Sequence, residues 1–139
     1  MKLRNNITIA LIVLATLIIP TLQSCQKYPD GPQLSLRSRA ARLSNNWKVE
    51  NYKVNGDDYT SLVSGYSESF SKSGAYSYSW GILDGSGTWS FQNKDEEVKL
   101  SGNDTQSSRT LYIQKLEEKA LWYYYLDGDD KHELHLISN

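Results

Sequence analysis

Ala75-Tyr76-Ser77-Tyr78-Ser79-Trp80 alternates without a break. Successive side chains of an extended strand point to opposite sides. Tyr76, Tyr78 and Trp80 therefore share one face, and Ala75, Ser77 and Ser79 share the other. That period belongs to a sheet buried on one side and wet on the other. Working outward, the pattern returns. Tyr66, Glu68 and Phe70 oppose Ser67, Ser69 and Ser71, and Trp89 and Phe91 oppose Thr88 and Ser90. Near the end, Leu134 and Leu136 oppose Glu133 and His135. One run is bulky on both faces, with Trp122 and Tyr124 on one and Leu121, Tyr123 and Tyr125 on the other. One of these faces fills an interior, and the other is exposed or covered.

From Trp47 onward the reading is all-β. Eight runs rich in Tyr, Trp, Val, Ile and Thr are predicted as strands: Trp47–Val54, Tyr66–Ser71, Ala75–Trp80, Thr88–Phe91, Glu97–Ser101, Thr110–Leu116, Leu121–Leu126 and Glu133–Ile137. Turn chemistry separates them, at Asn55-Gly56, Lys72-Ser73-Gly74, Asp84-Gly85, Asn93-Lys94-Asp95, Gly102-Asn103-Asp104, Glu117-Glu118-Lys119 and Asp127-Gly128-Asp129. Gly, Asn and Asp reach the positive φ of tight hairpins. Only Asp57 to Gly65 is long enough for a turn of helix or a lid. Short connections make each strand pair with the next, and an up-and-down barrel of eight strands then removes both sheet edges. The rival is a two-sheet sandwich. No long Greek-key crossover is visible, which favours the barrel.

The N-terminus carries a different signal. Lys2 and Arg4 precede an apolar run from Ile7 to Ile19, Pro20 ends it, and Leu22-Gln23-Ser24-Cys25 follows. This is the charged, apolar, small-residue order of a secretory signal. The apolar run falls short of the roughly 20 residues that a spanning helix needs. Cys25 is the sole cysteine, so no intramolecular disulfide is possible. The run before it resembles the lipobox of bacterial lipoproteins. That resemblance implies cleavage after residue 24, acyl chains (palmitate among them) on Cys25, and a stable membrane anchor, since several chains hold where one does not. The expected organisation is a signal peptide at 1–24, a lipidated tether at 25–33 and a barrel domain at 34–139. Pro29 and Pro32 flank Asp30-Gly31 in the tether, which reads as an extended spacer. Leu36, Ala40 and Leu43 recur at helical spacing, so a short helix is expected within Leu34 to Leu43. Its Arg37, Arg39 and Arg42 are expected to form a solvated face or to touch lipid headgroups.

The whole chain carries a net charge of −1. The leader contributes two cations and no acid, so the mature chain is more acidic still. There is no basic excess to hold phosphates, so nucleic acid is a poor partner and none is expected.

The mature domain resembles the lipocalin-like domains of Gram-negative bacterial lipoproteins. The residues that carry this are Leu43 to Trp47, Val49, Asn55-Gly56, the run Gly87-Thr88-Trp89-Ser90-Phe91, and the Leu116 to Leu121 hairpin after Thr110-Leu111-Tyr112-Ile113. Trp47 matches the tryptophan of the Gly-x-Trp opening of lipocalin-type barrels, and Asn45 stands at its glycine. No arginine follows Arg109, where strict lipocalins have one. The resemblance implies a barrel for a small apolar ligand on an outer-membrane lipoprotein, facing the periplasm or the cell surface.

No catalytic constellation emerges, and no enzyme activity or cofactor is expected. His132 and His135 are three apart on a strand and face opposite sides, so they read as surface histidines. There is no Gly-x-Ser-x-Gly elbow and no His-Glu-x-x-His motif. Asp127-Gly128-Asp129-Asp130 lacks the closing glutamate of a calcium loop. Glu68 stands apart, because alternation sends its carboxylate inward with Tyr66 and Phe70. A buried carboxylate needs a partner, either a polar ligand group or Lys99 or Arg109. Ten tyrosines and four tryptophans suit a filled interior or a binding surface.

Two functions follow. In the first, an anchored barrel binds a small apolar or amphipathic ligand, with Glu68, Tyr76, Tyr78, Trp80, Trp89, Phe91 and Tyr123 lining it and Trp47 closing the base. In the second, the barrel is filled and its outer aromatics bind a protein or glycan partner.

Overall fold

The computed structural model describes Tyr28, Pro29 and residues 36–139. Cys25, the leader and most of the expected tether lie outside the described residues. A short helix, α1 (Arg39–Leu43), precedes nine strands. These are β1 (Asn46–Val54), β2 (Asp57–Asp58), β3 (Ser67–Phe70), β4 (Ala75–Trp80), β5 (Leu83–Gln92), β6 (Glu97–Gly102), β7 (Thr110–Leu116), β8 (Ala120–Asp127) and β9 (Asp130–Ser138).

From β3 to β9 every strand pairs antiparallel with its successor. β1 closes the barrel. It pairs with β3 through Asn46, Trp47 and Lys48, and with β9 from Trp47↔Ser138 to Val54↔His132. β2 is a two-residue ribbon on the far half of β1. The result is the expected eight-stranded up-and-down barrel, with β2 as an appendage and no sandwich.

Several strands run past their expected bounds, β5 furthest. β5 begins at Leu83, not Thr88, so Asp84-Gly85 lies inside a strand and is not a turn. The hairpin instead turns at Gly81-Ile82, where Trp80 pairs with Leu83 and Gly81 takes φ +62°. The glycines that imitate a turn serve close packing. Gly85 faces Tyr78, and a Cβ there would strike the Tyr78 ring. At Gly87 a Cβ would strike the Ser101 backbone of β6.

The two ends of the barrel differ. α1 caps the first. Ser38 caps the helix by accepting from the Ala41 N–H at 3.1 Å. The Trp47 indole N–H donates to the Leu43 carbonyl at 3.0 Å, which seats the helix on the barrel. Leu43, Trp47, Leu116, Leu121 and Leu136 are fully buried here. Tyr28 joins them, and its hydroxyl donates to the Asp95 carbonyl at 2.7 Å.

The expected solvated arginine face is corrected in part. Arg42 is only 7% exposed, and its Nη1 donates to the Arg37 carbonyl at 3.2 Å, because a five-residue helix pressed on a barrel end has little outer surface. Arg39 pairs with Asp95 at 2.7 Å and Arg37 with Glu118 at 3.3 Å. Asp95 ends three successive left-handed residues, Asn93 (φ 47°), Lys94 (φ 56°) and Asp95 (φ 67°). The Tyr28 and Arg39 contacts hold this strained turn in place.

Candidate functional site

The second end of the barrel is open, and the connections β1–β3, β4–β5, β6–β7 and β8–β9 surround it. The long connection forms a 3₁₀ turn, Thr60–Val63, which the Asp58 carboxylate caps by accepting from the Thr60 N–H at 2.8 Å. This turn brings Leu62 and Val63 to the mouth. There they line an apolar pocket of about 250 Å³ with Tyr52, Tyr66, Trp80, Gln106, Tyr125 and Leu134. Around it the rim is apolar and exposed. Trp80 is 39% exposed, and Leu62, Ile82 and Leu83 more so. Exposed apolar surface collected in one place marks a binding surface more often than scattered residues do.

Glu68 lies directly behind this pocket. It is 3% exposed, and its Oε1 accepts three phenolic hydrogen bonds, from Tyr66 at 2.6 Å, Tyr76 at 2.9 Å and Tyr123 at 2.8 Å. The alternation of three strands produces this cluster, because β3 with the residue before it, β4 and β8 all aim these positions inward. Burial pushes the Glu68 carboxyl above its ordinary value, and the three hydroxyls pull it back only in part. Burial also drives the Tyr66 and Tyr123 phenols well up, so they remain protonated donors. Glu68 Oε2 has no hydrogen-bond partner among the described residues. Neither Lys99 nor Arg109 forms an ion pair with it. Its neighbours are tyrosines, which neither alternative at the sequence level included.

A polar relay runs from the pocket wall to this cluster. Gln106 Nε2 donates to the Tyr66 hydroxyl at 2.6 Å, and that hydroxyl in turn donates to Glu68. Gln106 reaches inward because its loop is folded tightly. Asp104 accepts from the Ser107 N–H at 2.9 Å and from the Ser107 hydroxyl at 2.7 Å. The Tyr78 hydroxyl donates to Asp104 at 3.2 Å.

Three neighbouring strands, and the residue before a fourth, also contribute a row of stacked groups. Tyr52 of β1 stacks on His132 of β9 at 6.0 Å, with its hydroxyl 2.7 Å from Nδ1. His132 stacks on Tyr125 of β8 at 4.7 Å. The Arg109 guanidinium, just before β7, lies 3.9 Å from the Tyr125 ring centre. His132 and His135 do face opposite sides, but neither is a simple surface histidine. His132 belongs to the mouth, and His135 stacks on Trp122 at 4.1 Å on the outer face. Burial raises the Tyr52 phenol to about 12.

The predicted lining residues divide by height. Trp80 lines the pocket. Glu68, Tyr76 and Tyr123 form the buried cluster behind it, and Tyr78 packs beside Tyr66 at 6.3 Å. Trp89 and Phe91 lie lower, edge to face at 5.5 Å, with the Trp89 N–H on the Ser71 carbonyl at 2.9 Å. Trp47 sits at the closed base. Tyr52, Leu62, Val63, Gln106, Tyr125 and Leu134 were not singled out by sequence. Tyr125 and Leu134 share an inward face with recognised core positions, which is a usable signal, whereas Tyr52 turns inward only through the bulge between Val49 and Asn51. Gln106 and Leu62 come from loops, whose direction no period reveals.

Compared by sequence, the chain matches no family model and no curated protein. Solved structures are similar in fold. A DUF4847 family protein from Bacteroides vulgatus superposes with a TM-score of 0.52 at 15% identity, covering 70% of this chain and 94% of that one. A lipocalin-like protein from Bacteroides uniformis gives a TM-score of 0.54 at 16% identity, covering 70% of this chain and 99% of that one. Over nearly the whole length of these two proteins the shared feature is the barrel, and the domain is lipocalin-like in fold.

Proposed function

We propose that this chain is a membrane-anchored, non-enzymatic lipoprotein whose barrel takes a small amphipathic ligand into its open end. The apolar pocket of about 250 Å³ at the mouth is the observation that carries this reading. It combines aromatic and aliphatic walls with a few convergent polar groups, which is how small-molecule sites are built. The lower barrel is solid with side chains, so the ligand is small or only partly enclosed.

The anchor reading rests on the Lys2-to-Cys25 pattern. It has a geometric consequence. Tyr28 is buried at the closed end, and three residues of chain span at most about 10 Å. Acyl chains on Cys25 would hold the closed end against the outer membrane and turn the mouth away from it. The open end would then meet ligand in the aqueous compartment.

A second reading has its own support on the outer face. Tyr112 stacks on Tyr124 at 4.8 Å, and Trp122 stacks on His135, with Lys115 and Lys131 over the Trp122 and Tyr124 rings. Such a row suits a protein or glycan partner.

Native mass spectrometry of the mature chain with medium-chain alcohols and acids separates the two. A one-to-one adduct that Trp80→Ala abolishes and Trp122→Ala retains supports the mouth site. A bare mass under every challenge points to the outer face instead.

A further inference from the structure

Arg109 is the cation of the mouth. A guanidinium is charged at every physiological pH, and its fork of donors matches a planar carboxylate. Nη2 is occupied, donating to the Thr105 carbonyl at 3.3 Å and to Gln106 Oε1. Nε and Nη1 are buried and have no acceptor among the described residues. No carboxylate forms an ion pair with Arg109 among those residues either. Two buried nitrogens without an acceptor are unfavourable for the empty protein even with the Tyr125 ring against the guanidinium, and such groups concentrate at functional sites.

A second pocket, of about 290 Å³, opens beside this guanidinium and is lined by Arg109, Thr105, Ser108, Thr110 and Asp127, with Tyr125, Tyr112 and Leu126 as its less polar walls. Tyr125 is also a wall of the apolar pocket. Gln106 joins the two, one end of its amide on Tyr66 and the other on Arg109. The apolar pocket and the pocket that holds the cation thus share the Tyr125 ring.

We infer that the ligand is an amphipathic carboxylate, with its apolar body between Trp80, Leu62 and Leu134 and its head on Arg109. This rests on the reading of the mouth as a ligand site and names the chemistry of that ligand. The head carries a single charge, because Asp127 in the same chamber opposes a more highly charged anion. The carboxylate would supply the acceptor that Nη1 lacks.

Calorimetry on the full chain with octanoate and 1-octanol, which share an apolar body and differ in the head, tests this. Octanoate should bind about tenfold tighter or more, the worth of one charge-assisted hydrogen bond. R109M should bring the octanoate-to-octanol ratio close to one, and R109K, which keeps the charge without the fork, should leave it in between. Equal binding of both probes by the unaltered chain would overturn the carboxylate assignment and leave the mouth site standing. A preference for octanoate that survives R109M would overturn the role of Arg109. Failure of both probes to bind would overturn this inference and the mouth site together. The comparison in the unaltered chain decides the matter even where a variant does not fold.

Discussion

The closed and open ends of this barrel are built from the same strands and obey different rules. At the closed end, Leu43, Trp47, Leu116, Leu121 and Leu136 are apolar, fully buried and tied to α1. At the open end, β1, β8 and β9 deliver Tyr52, Tyr125 and His132, and the neighbouring groups are Glu68, Gln106 and Arg109. A barrel needs one end packed to be stable. The other end is then free to carry polar groups that stability alone would not select, such as a buried carboxylate with an unpartnered oxygen and a guanidinium with two idle donors.

The largest effect should come from the closed end. Trp47→Ala removes a fully buried indole and the bond that seats α1, and should cost about 3–5 kcal/mol in denaturant unfolding. A loss below about 1 kcal/mol, the size of an ordinary point substitution, would show that the closed end is not what holds the barrel.

Glu68 gives the open end a pH signature. Its carboxyl is raised in the folded state, chiefly by burial, so the folded protein holds that proton more tightly than the unfolded chain. Its contribution to stability is greatest below the ordinary value of 4.5, falls as pH rises, and levels off above the raised value. Glu68→Gln keeps an oxygen for the three tyrosines and should flatten that fall in thermal melts across the acid range. An unchanged profile would mean that Glu68 does not titrate during unfolding.

A smaller gain is expected at the strained turn of the closed end. Lys94 sits at φ 56°, and left-handed geometry costs an ordinary residue about 1 kcal/mol. Lys94→Gly should raise stability by up to that amount in urea titrations, and a decrease would show that the Lys94 side chain holds the turn. The smallest stability effect belongs to Trp80→Ala. It should change unfolding by less than about 0.5 kcal/mol, as exposed positions do, while weakening any ligand at the mouth. A large loss of stability would make Trp80 a core residue rather than a rim residue.

Much of this contrast is legible in the sequence. Alternation in Tyr66–Phe70 and Ala75–Trp80 assigns the inward faces, and the inward direction of Glu68 follows from it, while Leu121–Leu126, bulky on both faces, is left open. The glycines of β5 mislead, because a glycine that makes room for Tyr78 resembles one that turns the chain. The partners of Glu68 are hidden for another reason. Tyr76 is a diagonal neighbour on the adjacent strand, but Tyr123 of β8 meets Glu68 only when distant strands wrap around a common axis, and sequence spacing does not encode that closure. The loop residues Leu62 and Gln106 owe their positions to Asp58 and Asp104 capping bonds, and Arg42 owes its burial to the docking of a helix too short to have an outer face.

The four indole N–H groups report on both ends at once, with Trp80 at the mouth, Trp47 at the base, Trp89 low in the barrel and Trp122 outside. Nuclear magnetic resonance of these signals during titration with octanoate tests the central claim most directly. The account predicts a saturating shift of the Trp80 signal while Trp47 and Trp122 stay in place. A shift confined to Trp122, or none at all, would contradict it and move the binding surface to the outer face.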